Sequence, residues 1–363
     1  MASFKKGDKK LLNAWAFYDW ANSVYTLTVA SSLFPLFYSA LFLTEVKNVV
    51  AFGFEFKSTA LITFITAFTF MVVTVISPLL SGVADYLGNK MAFMKFFCYV
   101  GSLGCVGLYW FSLEHIHLSL LFYFMGLFGY WGSLVFYNSY LPDIAHTEQQ
   151  DSISAKGFGL GYLGSVILLC INLGMVLFPG IFGFDVSISE DIMLNGSEEE
   201  IELALTAAKD AASIEAMRVS FITVGIWWAG FSQYTFKILP KGVSDGGKLT
   251  RAVLLHGFNE LKGVWGRLKR NLRLKSYLYA FFVFSMAVQT IMLVAVYFGE
   301  EEISWGDPTT KKIGLIGSIL IIQLVAILGA FLTSRASRKY GNINTLIVVN
   351  VIWMFLCIYA YFM

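Results

Sequence analysis

Charge is what this chain has least of. Of its 363 residues only 14% are Asp, Glu, Lys or Arg, while 57% are hydrophobic and 17% aromatic; a soluble globular domain carries roughly 25% charge. So apolar a chain must turn much of its surface to lipid. The net charge of +2 suggests neither a nucleic-acid binder nor an acidic scaffold. Cysteine is equally sparse. Cys98, Cys105, Cys170 and Cys357 all lie inside apolar runs without CxxC spacing, which argues against disulfides and thiolate metal sites. His115 and His117 share a short outer loop with no acidic or thiol cluster, so no metal is expected. Paired intramembrane acids, an HExxH and a Ser/His couple are all missing, which argues against protease or phosphatase chemistry. No cofactor is expected either: Gly157, Gly161 and Gly164 follow no strand and precede no acidic ribose ligand at the required distance.

What the chain does have is long apolar runs. Nine segments, approximately 14–43, 58–81, 91–112, 118–141, 157–179, 218–239, 276–298, 312–333 and 343–363, reach the roughly 20 residues a membrane helix needs. Their length and lack of alternation exclude a barrel, so an all-α membrane bundle is expected. Lys5, Lys6, Lys9 and Lys10 ahead of the first run mimic a signal peptide, but the run is too long and carries Asp19 and Asn22, so it reads as an uncleaved span. Placing the N-terminus in the cytoplasm puts twenty of the 26 basic residues inside and sixteen of the 24 acids outside. The positive-inside rule selects that orientation.

Between the second and third runs stands Ser81-Gly-Val-Ala-Asp85-Tyr-Leu-Gly88-Asn-Lys90, expected to be a tight polar loop. A weaker copy, Ser334-Arg-Ala-Ser-Arg338-Lys-Tyr-Gly341-Asn342, precedes the last run and marks an internal repeat. Three domains follow: an N-terminal six-helix bundle over 1–239, a cytoplasmic linker over 240–275, and a partial three-helix C-terminal bundle over 276–363. In the linker, Leu254, Phe258, Leu261, Trp265, Leu268 and Leu272 recur at helical spacing beside Arg251, Lys262, Arg267, Lys269, Arg270 and Arg273. That pattern is a basic amphipathic helix on the membrane surface rather than a nucleic-acid patch. Ser197-Glu-Glu-Glu200 is a capping box opening a helix that runs through Ala204, Ala208 and Ala212 into the sixth span. Parallel halves with a hinge after spans two and eight imply three more helices after Met363.

These residues also carry a resemblance. Ala14-Trp-Ala-Phe-Tyr18-Asp19-Trp20-Ala-Asn22-Ser23, the hinge at 81–90, Tyr137-Asn138-Ser-Tyr-Leu-Pro142-Asp143, Lys156-Gly157-Phe-Gly-Leu-Gly161-Tyr-Leu-Gly164 and Val288-Gln289-Thr290 occur in the order found in the major facilitator superfamily. They are most similar to the "unknown major facilitator" branch related to autophagy-linked vacuolar amino-acid effluxers. The resemblance implies a secondary active transporter working by alternating access, a small polar solute such as an amino acid as substrate, and residence in a bacterial inner membrane. Proton coupling through Asp19 is expected with it. In that fold the hinge Asp clasps the other bundle; here Ser81, Tyr86 and Asn89 depart from the usual hinge residues, and Arg338 replaces the Asp in the repeat. The chain's nine spans against the family's twelve keep open a non-transporting membrane protein acting as a binding or assembly partner, and a lipid or lysolipid flippase on the same fold. Small solute, protons and membrane lipids are the expected partners of a monomer.

Asp19 is the sharpest candidate for chemistry, because a carboxylate in a span costs up to about 2.5–3.5 kcal/mol. Asn22, Ser23 and Thr26 continue a polar stripe from it. The stripe either lines a central cavity, with Asp19 binding a proton or a substrate amine, or makes fixed structural contacts. Tyr137 and Asn138 could hydrogen-bond a zwitterion, whereas Tyr140 reads as part of the interfacial belt. Gln289 adds mid-span polarity in the other bundle, with Asn22 or Asn138 across a midplane cavity, or a residue of its own bundle, as partner. Ser81, Gly82, Asp85, Gly88, Lys90, Arg338 and Gly341 form the gating hinges. Thr59, Thr63, Thr66, Thr74 and Ser77 read as helix packing, with Pro78 bending the helix. Gly157, Gly161 and Gly164 read as a sliding packing face.

Overall fold

The structure is a computed structural model that describes residues 5–42, 48–241, 262–301, 303–304 and 308–362. The first span is one helical rod in three parts: α1 (Lys9–Val24), a π-helical stretch (Tyr25–Leu33) and α2 (Phe34–Ala40). A hairpin of β1 (Asn48–Ala51) and β2 (Phe54–Lys57) follows, then α3 (Ser58–Leu87), α4 (Lys90–Gly107), α5 (Ile116–Ile144), α6 (Thr147–Leu177), the short α7 (Glu190–Asn195) and α8 (Glu198–Ile238). After them come α9 (262–270), α10 (Leu272–Glu301), α11 (Pro308–Tyr340) and α12 (Asn342–Tyr361). Among the described residues seven helices are long and apolar enough to cross a membrane: the apolar portions of α3, α4, α5, α6, α10, α11 and α12. The first expected span is divided by its π stretch. The sixth is the end of α8, where Arg218, Ser220, Thr223, Gln233 and Thr235 dilute the apolar run.

Two compact units result. One holds α1 to α8 except the end of α3 from Pro78; the other holds that end of α3 with α10, α11 and α12.

In the first unit the core is aromatic: Trp15, Tyr18, Tyr25, Phe34, Phe37, Phe97, Phe111, Phe136, Phe221 and Trp228 are fully buried. Its tightest seam joins α4 to α5, where Gly101 and Gly104 meet Gly129 and Gly126 backbone to backbone. Lipid tails give no hydrophobic drive for helix association, so such close approach supplies the dispersion energy instead.

One end of this unit is tied to the N-terminus. The Lys6 ammonium donates to the Pro142 carbonyl at 2.6 Å and the Gly7 amide to that of Ile144 at 2.7 Å. Tyr140 is buried, not interfacial, and its hydroxyl donates to the Pro240 carbonyl at 2.9 Å. At the opposite end Arg218 donates to the Tyr109 and Phe111 carbonyls at 2.6 and 2.8 Å. The hairpin closes there through Phe52 and Gly53, both with positive φ, as a type I′ turn requires. The Phe52 amide donates to His117 Nε2 at 3.2 Å.

The capping box is present as expected. Ser197 Oγ accepts the Glu200 amide at 3.3 Å, and Glu200 Oε2 accepts the Ser197 amide at 2.8 Å, which holds the Glu200 carboxyl below its ordinary range. At 41 residues α8 is about 60 Å long, twice the roughly 30 Å hydrocarbon core.

The hinges require a correction. Ser81 and Gly82 are helical within α3, and the turn is confined to Gly88 and Asn89. Gly88 has φ 61°, and Asn89 caps α4 by accepting the Ala92 amide. The repeat is built alike: Ser334 to Tyr340 continue α11, and Gly341 turns the chain at φ 83°. Only a residue without Cβ takes this left-handed stop at no steric cost. Polar residues past the apolar run therefore extend the helix instead of looping. Asp85 continues α3, but its side chain lies outside the described residues, as do linker residues 242–261. Of the expected amphipathic helix 262–270 is described, with Trp265 exposed beside Lys262 and Arg267.

Candidate functional site

Three helices of the first unit meet at Asp19. It stands in the third turn of α1, only 7% exposed, and its Oδ2 accepts the Tyr137 hydroxyl of α5 at 2.9 Å. Trp15, one turn earlier on α1, fixes Tyr137 twice. Its indole N–H donates to the Tyr137 carbonyl at 2.8 Å, and its ring lies flat on the phenol at 4.3 Å between centroids. Tyr18 packs on the same phenol at 5.1 Å. With its ring gripped on both sides, Tyr137 presents its hydroxyl in one place.

The third wall is α6, and its glycines make the approach possible. A Cβ on Gly157 would stand 2.5 Å from Asp19 Oδ2, and one on Gly161 would stand 2.5 Å from Ser23 Oγ. Gly164 abuts the Trp20 carbonyl and ring in the same way. The expected packing face is thus laid against the polar side of the first span. Lys156, one residue before Gly157, donates to Asn13 Oδ1 of α1 at 2.6 Å and so ties the two helices beyond the carboxylate.

Along the stripe, Asn22 is fully buried; its Oδ1 accepts Ser23 Oγ at 3.3 Å and its Nδ2 has no partner among the described residues. Thr26 is half-buried and donates to the Ser23 carbonyl at 2.9 Å. Among the described residues no cation pairs with Asp19; the salt bridge nearest in sequence role is that of the hinge, Lys90 to Asp143 at 3.0 Å. The phenols of Tyr130 on α5 and Tyr162 on α6 share its electrostatic surroundings. A buried carboxylate held by one neutral donor can take up a proton or an ammonium group without displacing a fixed counter-ion.

Other expected residues are exposed within their own units. Asn138 is exposed, although its neighbour Tyr137 is central. Gln289 is exposed on α10 of the second unit, and Arg338 and Gly341 are exposed at its turn. The α3 hydroxyls satisfy their own helix: Thr63, Thr66, Thr69 and Thr74 each donate to the carbonyl four residues back. Thr66 also meets the Tyr123 hydroxyl of α5 at 2.9 Å, which fits the packing role.

Asp19, Tyr137 and Gly157 come from three stretches far apart in sequence, and each belongs to a different motif of the resemblance. The sequence model of the family described as "Vacuole effluxer Atg22 like" matches residues 7–189 and 200–363. The chain belongs to this Atg22-like family. Among its relatives is the uncharacterized MFS-type transporter YxiO of Bacillus subtilis, 28% identical over 351 residues, which cover 97% of this chain and 73% of that protein. Autophagy-related protein 22-2 of Aspergillus oryzae is 25% identical over 213 residues, 55% of this chain and 30% of the fungal one. Autophagy-related protein 22-1 of Aspergillus clavatus is 27% identical over 197 residues, 52% and 27% respectively. The chain thus spans less than a third of the fungal Atg22-like relatives. With its apolar helices and this kinship, it is an integral multi-pass membrane protein of the major facilitator type.

Proposed function

We propose that this Atg22-like protein is a secondary active transporter that moves a small polar solute, an amino acid being the class the family suggests, in exchange for or together with protons. The observation that carries the reading is the buried carboxylate of Asp19, held among the described residues by the Tyr137 hydroxyl and walled by Gly157. Such a group is costly in a span unless the transport cycle uses it. In this reading protonation or an ammonium group neutralises Asp19 before its accessibility switches from one side of the membrane to the other. Asn22 and Thr26 supply polar contacts beside it. Nine spans divided six and three, a cytoplasmic N-terminus and residence in a bacterial inner membrane complete the proposal, supported by the distribution of basic residues.

The test is uptake into proteoliposomes of a labelled panel of amino acids, nucleosides and lysolipids, with and without a pH gradient. Asp19→Asn keeps the shape but cannot titrate. It is expected to abolish the response to the gradient and to reduce uptake about tenfold or more. Unchanged uptake with unchanged pH dependence in this variant would remove Asp19 from the mechanism.

A further inference from the structure

The stretch beyond Asp19 has an unusual hydrogen-bond account. Several helical hydroxyls of the first unit donate to their own backbone: Thr63, Thr66, Thr69, Thr74 and Ser220 all reach the carbonyl four residues back, whereas Ser102 on α4 and Ser165 on α6 have no partner among the described residues. In the π-helical stretch the ladder shifts, with the Phe34 amide bonded to the Val29 carbonyl; Thr26 keeps a bond to its own backbone, at the Ser23 carbonyl, and three other hydroxyls do not. The hydroxyls of Tyr25, Thr28 and Ser32 are buried without a hydrogen-bond partner among the described residues, and Asn22 Nδ2 one turn earlier is in the same position. Tyr25, Thr28 and Asn22 are at most 1% exposed and Ser32 is 7% exposed. Each such group left dry costs about 1–3 kcal/mol. Protein interiors meet that cost with ordered water, which bonds to about three polar groups at a time.

The wall of α5 facing the Tyr25 hydroxyl is Gly126, whose missing Cβ would lie 3.2 Å from that oxygen. Tyr130 of α5 and Trp228 of α8 flank the ring at 5.3 and 5.8 Å between centroids. Tyr25, Thr28 and Ser32 follow Asp19 and Asn22 at steps of three or four residues. Ser31 beside the far end of this path is exposed, and π-helical turns inside α-helices are frequent at functional sites.

We propose that the first span holds a file of water molecules along Asn22, Tyr25, Thr28 and Ser32 which carries protons between Asp19 and the end of the span opposite the N-terminus. The inference rests on the reading of Asp19 as the proton site. A proton entering at Ser32 is passed by exchange of O–H bonds. Each water or hydroxyl accepts one proton and gives up its own, and the last transfer places a proton on the Asp19 carboxylate, leaving the file neutral. The amide of Asn22 does not relay; it anchors water between Tyr25 and the carboxylate. Tyr130 and Tyr162, the titratable neighbours from α5 and α6, stay phenolic throughout.

Infrared spectroscopy of the reconstituted full chain after a photolytic pH jump reads the carboxyl band of Asp19 directly, with Asp19→Asn identifying it. In Tyr25→Phe and Thr28→Val, protonation of Asp19 is expected to slow about tenfold, the equivalent of one lost hydrogen-bond link of about 1.4 kcal/mol. Thr28→Ser is expected to restore the rate. A band present in the parent chain, with unchanged rates in both variants, overturns the relay and leaves the Asp19 reading standing. The lack of any Asp19 band overturns that reading, and the relay with it. Should the variants fail to fold, radiolytic footprinting of the parent chain decides, because radicals form at bound water. Oxidation of buried Tyr25 at the rate of exposed Tyr361 supports the file, and a silent Tyr25 refutes it.

Discussion

At Gly157 the molecule has traded a side chain for proximity to a charge, and the consequence can be isolated. The atom a new Cβ would strike is the far end of the Asp19 side chain, which can swing aside, so Gly157→Ala is expected to fold. In swinging it gives up the Tyr137 hydroxyl, a bond to a charged group worth about 1.5–3 kcal/mol. Uptake in proteoliposomes is therefore expected to fall about tenfold or more, while the unfolding midpoint in detergent drops by only several degrees, about 2–4 °C for each kcal/mol lost. Equal loss of both would make the site merely structural. Asp19 could be read from the sequence because an acid in an apolar run has few explanations. Its donor could not. Tyr137 was a candidate for the site, but it lies 118 residues away, and nothing in the sequence pairs its hydroxyl with Asp19. Asn138 shows the same limit in reverse, since one step along α5 carries it from the buried face to the exposed one.

Among the elements, α4 and α5 show what holds the first unit together. A Cβ on Gly104 would lie 2.5 Å from the Gly126 amide nitrogen and 2.8 Å from the Phe122 carbonyl oxygen, and backbone cannot swing aside. Gly104→Ala should cost about 1–3 kcal/mol by overpacking, lowering the unfolding midpoint followed by tryptophan fluorescence. Gly230→Ala on α8, where nothing lies within 4 Å, should leave it in place; a midpoint equal in the two variants would show that the seam does not matter. The signal was present in the chain as glycines three apart at 101, 104 and 107 and again at 126, 129 and 132, a small-residue face of the kind already recognised on α6. Element identity was otherwise plain from apolar length, while boundaries were not. Polar residues at a membrane surface sustain helix as well as loop, so 81–87 and 334–340 stayed helical until a glycine could take positive φ. The π stretch left no periodic trace either, because its residues are as apolar as those around them.

For the molecule as a whole, the distribution of basic residues predicts an orientation, and the contacts of the first unit say which groups share each of its ends. Lys6, Pro142, Ile144, Lys90 and Asp143 are tied together at one end, while the hairpin, His117 and Arg218 gather at the other. The two glycine turns, at 88 and 341, both have positive φ. Single cysteines introduced at Glu148, Lys262 and Lys339, in a background with Cys170 and Cys357 replaced by serine, should resist an impermeant maleimide added outside intact cells. Cysteines at Glu114 and Glu199 should react. Because positive charge near the ends of short loops opposes translocation, all three basic-side positions must agree. Labelling of Lys262→Cys from outside while Glu148→Cys stays protected would place the linker and the first unit's N-terminal end on opposite faces. The duplicated arrangement would then fail even though every helix in it remained a membrane helix.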